Sequence, residues 1–149
     1  MDILNALQSG LITASAEETE QVGSRLAAAL PEDAALALSG DLGSGKTTLV
    51  RGLARGLGIP ASVTSPTYNI YSIYKGRRML LHMDAYRLSD AHELESLSLE
   101  EFLRPPFLIV VEWPEHVPQF FETWTTYWLD LSILPDHRHR ISLRPAAQT

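Results

Sequence analysis

Residues 34–50 read AALALSGDLGSGKTTLV: an apolar run, a glycine-rich turn and the opening of a helix-forming stretch, in one unbroken line. Ala34 to Leu38 has the length of a buried strand, although alanine is a modest strand former. From Lys46 to Leu57 the residues Leu49, Leu53 and Leu57 recur on one helical stripe, and Gly58 stands where a left-handed residue commonly closes a helix. Between the two, Gly40-Asp-Leu-Gly-Ser-Gly-Lys46-Thr47 fits the P-loop pattern G-x-x-x-x-G-K-[ST] in full. Glycines at 43 and 45 let the backbone turn its N–H groups inward, and a helix starting near Gly45 adds exposed donors and the positive end of its dipole. Such a cradle takes the phosphates of a nucleoside triphosphate. Its candidate binding residues are Gly40, Asp41, Leu42, Gly43, Ser44, Gly45, Lys46, Thr47 and Thr48. Lys46 suits the β- and γ-phosphates, and the Thr47 hydroxyl suits Mg²⁺.

Outward from the loop, Ser15-Ala-Glu-Glu18 predicts a capped helix over residues 16–30, with Val22, Leu26 and Leu30 on one face and Pro31 stopping it. Gly52 and Gly56 inside the following helix predict close helix–sheet packing, with a partner-facing surface as the sharper alternative. Residues 68–74 and 79–84 around Lys75-Gly76-Arg77 predict a β-hairpin. Residues 89–103 predict one helix, ending before Pro105-Pro106. Phe107 to Trp113 is continuous and β-branched, so it predicts a strand buried on both faces. Residues 127–134 and 140–143 predict a terminal strand pair. The sum is an α/β fold: a single P-loop domain over residues 1–149, with a mostly parallel central sheet, antiparallel additions and helices on both faces.

A cradle only holds phosphates; hydrolysis also needs a metal clamp and a group that positions water. Asp84 in Leu80-Leu-His-Met-Asp84 and Glu112 in Leu108-Ile-Val-Val-Glu112 both end apolar strands, where ligands of an open parallel sheet gather. Either is a candidate metal acid. Glu112 has the stronger claim, because its strand is the better central one. Asp84 is then a candidate to orient the attacking water, to support the metal indirectly through one of its ligands, or to pair with Arg87. Thr67 in Ser65-Pro-Thr-Tyr68 is a candidate to meet the γ-phosphate, although by its own pattern the segment is a proline turn entering a strand. His137 and His139 lack the partners of a zinc site, and His82 reads as an ordinary packed histidine.

Composition narrows the field. The chain has 149 residues, 45% apolar and 20% charged, with a net charge of −6 and no cysteine. An acidic domain lacks the footprint of a direct nucleic-acid binder, and three arginines (138, 140 and 144) suggest a solvated strand. The N-terminus is a poor signal peptide and no apolar run spans a bilayer, so a cytoplasmic protein with no membrane partner is expected. No N-K-x-D guanine motif occurs, and no lid insertion is visible between Ser89 and Pro105, which disfavours a GTPase and a small-molecule kinase. A nucleotide-dependent switch module remains a third alternative. Purine contacts fall by elimination to residues 13–19 and the C-terminal strands.

GDLGSGKTT, SPTY, HMDAYRL and VEWPE, in this order within a short acidic chain, resemble the TsaE (YjeE) family, small bacterial ATPases of tRNA threonylcarbamoyladenosine synthesis. The resemblance runs from Glu17-Glu-Thr19 to VEWPE; the C-terminal third follows only in pattern. Ser44 stands where Ala is common and Ala85 where a larger apolar residue is usual, and neither removes a functional group. The resemblance implies ATP and Mg²⁺ as cofactors, with Lys46 and Thr47 on phosphate and metal and Glu112 as second metal ligand. It implies that Asp84 and the Ser65–Tyr68 loop, with Thr67, take part in hydrolysis and that Trp113 lies beside the site. It further implies the TsaD–TsaB heterodimer as protein partner, with tRNA reached only through that complex.

Overall fold

The computed structural model describes residues 2–60, 63–64, 70–88, 91–95 and 97–145. The capped helix forms as the sequence indicates. Ser15 accepts a hydrogen bond from the Glu18 amide and opens α2 (Ala16–Ala29), while the Glu18 carboxylate reaches back to the Ala14 amide at 3.1 Å. Ahead of it lie two short elements that the sequence pattern does not announce, α1 (Ile3–Ser9) and β1 (Leu11–Thr13). The diagnostic stretch folds as β2 (Ala34–Ser39), loop and α3 (Lys46–Gly56). The hairpin is β3 (Tyr71–Tyr74) and β4 (Met79–Asp84), paired antiparallel. The strand ending in Glu112 is β5 (Phe107–Glu112), buried at all six positions. The terminal pair is β6 (Thr125–Ile133) and β7 (His139–Leu143).

One sheet holds all seven described strands in the order β1-β7-β6-β2-β5-β4-β3. Its centre is parallel, β6, β2, β5 and β4, and its margins are antiparallel. Strand alternation sorts side chains into two cores. Leu36, Leu38, Leu80, Leu108, Val110 and Leu129 face the first, which α1, α2 and α3 cover with residues such as Leu7, Leu26 and Leu53. Ala35, Ala37, Leu81, Met83, Ile109 and Val111 face the second, beneath Leu94, Leu99 and Phe121. Helices therefore flank both faces, but the second is roofed by the short α4 (Ala91–Glu95) and 3₁₀ turns at Leu99–Glu101, Pro114–His116 and Pro118–Thr123.

Two expectations are corrected. The single helix over residues 89–103 is broken: after α4, Ser98 adopts a left-handed conformation (φ 51°) and a 3₁₀ turn follows. Leu94 and Leu99 are five residues apart, about 140° around a continuous helix, and the break lets both enter the second core. The glycines of α3 pack closely, but against a helix rather than the sheet. A Cβ on Gly52 would lie 2.0 Å from the Glu20 carbonyl oxygen, and one on Gly56 would lie 2.8 Å from that of Ser24, both on α2. Among the described residues no helix is long and apolar enough to cross a membrane.

Candidate functional site

The centre of the sheet decides where chemistry can collect. β2 ends at Ser39, and the register sets Leu38 beside Glu112 and Glu112 beside Asp84, so the loop and both acids meet at one edge. The loop bends as its glycines allow: Gly43 and Gly45 take φ 83° and 103°, the left-handed region, with Gly45 opening α3. The result is a cleft of about 750 Å³. Leu42, Gly43, Gly45, Lys46, Thr47 and Thr48 line it together with Asp84, Glu112 and Trp113. Gly40, Asp41 and Ser44 do not line it. The Gly40 carbonyl accepts from Lys46 Nζ at 2.5 Å, and Ser44 is buried behind the loop.

Lys46 is only 5% exposed, and its ammonium lies 3.9 Å from the centre of the Trp113 ring. Burial pulls its pKa below the usual lysine value, while the carboxylates of Glu112, Asp84, Glu115 and Asp41 pull the other way. Glu112 is buried at 4% exposure. Its Oε2 lies 3.5 Å from Thr47 Oγ1 and 2.6 Å from His82 Nε2. Asp84 Oδ1 accepts from the Tyr86 amide at 3.0 Å, which turns the chain just past β4. Trp113, with a left-handed backbone (φ 59°), packs on Tyr86 at a ring separation of 5.1 Å. The glutamate two residues on, Glu115, accepts from the Ser39 hydroxyl and so ties the end of β2 to the turn after β5.

Thr67 and the rest of the Ser65–Tyr68 loop lie outside the described residues. His82 corrects the reading of an ordinary packed histidine: it is fully buried, and it meets the Glu112 carboxylate. Its signal was available in the alternation Leu80-His82-Asp84, which puts it on the same sheet face as the acid that ends its strand. His139 was also missed. It donates from Nδ1 to the Ser44 carbonyl at 2.8 Å and bounds the cleft with His137, a contact made only by the long-range return of β7. Ala14, Ser15, Ala16 and Thr19, from one of the two segments that elimination leaves for purine contacts, also line the cleft. The three arginines are not a patch. Arg144 makes two 2.8 Å hydrogen bonds to Asp130, Arg138 one of 2.7 Å to Asp136, and Arg140 reaches the Ser9 carbonyl.

A central parallel strand running through a glycine-rich loop into a helix, with acids ending the two strands beyond it, defines a P-loop NTPase fold of the α/β class. Comparison with known proteins narrows this further. The family model described as "Threonylcarbamoyl adenosine biosynthesis protein TsaE" matches residues 13–142, and the chain belongs to that family, which serves tRNA threonylcarbamoyladenosine biosynthesis. A TsaE protein of Treponema pallidum is 34% identical over 132 residues, 89% of this chain and 97% of the relative. One from Synechocystis is 45% identical over 106 residues, 68% of this chain and 67% of the relative. The crystal structure of Bacillus subtilis YdiB superposes with a TM-score of 0.67 at 30% identity, covering 90% of this chain and 82% of the other.

Proposed function

We propose that this chain is a Mg²⁺-dependent ATPase subunit that acts on the TsaD–TsaB heterodimer during threonylcarbamoylation of tRNA adenosine 37, in the cytoplasm where tRNA is modified. The observation that carries the reading is the meeting of Lys46, Thr47, Asp84 and Glu112 in one cleft beneath a P-loop. In this reading the loop amides from Gly40 to Thr48 receive the phosphates. Lys46 leaves the Gly40 carbonyl and the Trp113 ring for the β- and γ-phosphates. The oxygens of Thr47 and Glu112 converge as a Mg²⁺ site requires, since that ion uses one or two protein oxygens beside phosphate and water. Bound there, Mg²⁺ neutralises charge on the transferred phosphoryl group. Asp84, already oriented by the Tyr86 amide, positions the attacking water, and Thr67 senses the γ-phosphate. The purine takes the end of the cleft bounded by Ala14–Ala16, Thr19 and His137. The acidic chain reaches tRNA only through the heterodimer.

Steady-state phosphate release with and without TsaD–TsaB tests this. Slow release alone and clear stimulation by the heterodimer is the expected result. Phosphate appearing on a small acceptor would make the protein a kinase instead, and tight ATP binding with no turnover under either condition would reduce it to a switch.

A further inference from the structure

His82 is an expensive residue where it stands. It lies on β4 between Leu80 and Asp84, on the face of the first core, and is fully buried. Its register partners are Val110 on β5 and Ser72 on β3, and both Leu80 and Val110 belong to that apolar layer. A leucine or valine would fill such a place without stranding a polar atom. The histidine does strand one: Nδ1 is buried with no hydrogen-bond partner among the described residues. The other nitrogen, Nε2, donates to Glu112 Oε2 at 2.6 Å, the same oxygen that lies 3.5 Å from Thr47 Oγ1. Asp84, two residues along β4, stands beside Glu112 in the sheet, so one strand presents both the ring that holds this carboxylate and the second acid of the cleft.

We infer that His82 is a positioning residue for the metal site: its Nε2–H fixes the Glu112 carboxylate with Oε2 turned toward Thr47, so that both oxygens meet Mg²⁺ without rearrangement. A buried glutamate has several rotamers, and a donor fixed by the sheet selects one. Hydrogen bonds to a ligating carboxylate tune metal affinity in this way, and losing one costs about 10- to 100-fold. The inference rests on the reading of Glu112 as the magnesium acid.

The test measures metal affinity rather than turnover. Mn²⁺ is titrated into the protein–ADP complex and free Mn²⁺ is followed by electron paramagnetic resonance, for wild type, His82→Leu, His82→Gln and Glu112→Gln. ADP affinity in EDTA is measured in parallel. His82→Leu should weaken Mn²⁺ binding about tenfold or more and leave metal-free ADP affinity unchanged. His82→Gln, whose amide nitrogen can occupy the Nε2 position, should recover most of the loss. Wild-type Mn²⁺ affinity in His82→Leu, while Glu112→Gln is weakened, would overturn the inference and leave the magnesium reading standing. Unchanged affinity in Glu112→Gln would instead sink the magnesium reading, and the role of His82 with it. Equal loss of Mn²⁺ and metal-free ADP binding in His82→Leu would mark a general distortion and also overturn the inference. If His82→Leu does not fold, His82→Asn replaces it. Its shorter amide cannot reach Glu112, so it should bind Mn²⁺ more weakly than His82→Gln, and equal affinities would contradict the proposal.

Discussion

At the scale of the residue, the proposed reading assigns phosphate holding to Lys46 and turnover to Glu112. Lys46 donates to the loop's own carbonyl, that of Gly40, and charge-assisted hydrogen bonds are worth about 1.5–3 kcal/mol. Lys46→Ala should therefore weaken ATP binding by roughly 10- to 150-fold, read by calorimetry, with the fold intact by circular dichroism. The loop and the two acids were legible in the sequence because their chemistry is local: a fixed spacing in one case, a charged residue ending an apolar run in the other. His82 and His139 were not, since each owes its meaning to a neighbour brought by the sheet. Glu112 lies 30 residues from His82 along the chain, and Ser44 lies 95 from His139.

At the scale of the element, the α2–α3 crossing deserves a direct test because it packs α3, which opens with Lys46 and Thr47, closely against α2. Gly23 of α2 and Gly52 of α3 each leave no space for a Cβ: atoms of the opposite helix would lie 2.3 and 2.0 Å away. Gly52→Ala should thus be destabilising despite the better helix propensity of alanine, by about 1–3 kcal/mol in urea denaturation. At the other end of the same packing unit, Ser15→Ala should remove the cap of α2 at a cost of about 1 kcal/mol. The glycines announced close packing, but a single period cannot say whether sheet or helix is the partner. The predicted helix over residues 89–103 failed for a related reason. Its leucines have helical spacing only in part, and burial of Leu94 and Leu99 in one core won over continuity of the helix.

At the scale of the whole molecule, the order of the strands makes the site. β5 lies between β2 and β4, so a loop and two acids that are separated by up to about 70 residues in sequence share one sheet edge. Strand type and parallel character could be read from apolar runs, whereas this order could not, because pairing partners are chosen by tertiary packing. On the proposed reading this edge hydrolyses ATP through Glu112 and does not merely hold it. The most direct measurement is phosphate release by Glu112→Ala with the TsaD–TsaB heterodimer present, set beside its ATP affinity. The expected result is ATP affinity within several-fold of wild type and turnover reduced by about two orders of magnitude or more, the scale of losing one transition-state contact. Wild-type turnover in Glu112→Ala would exclude Glu112 as the metal acid.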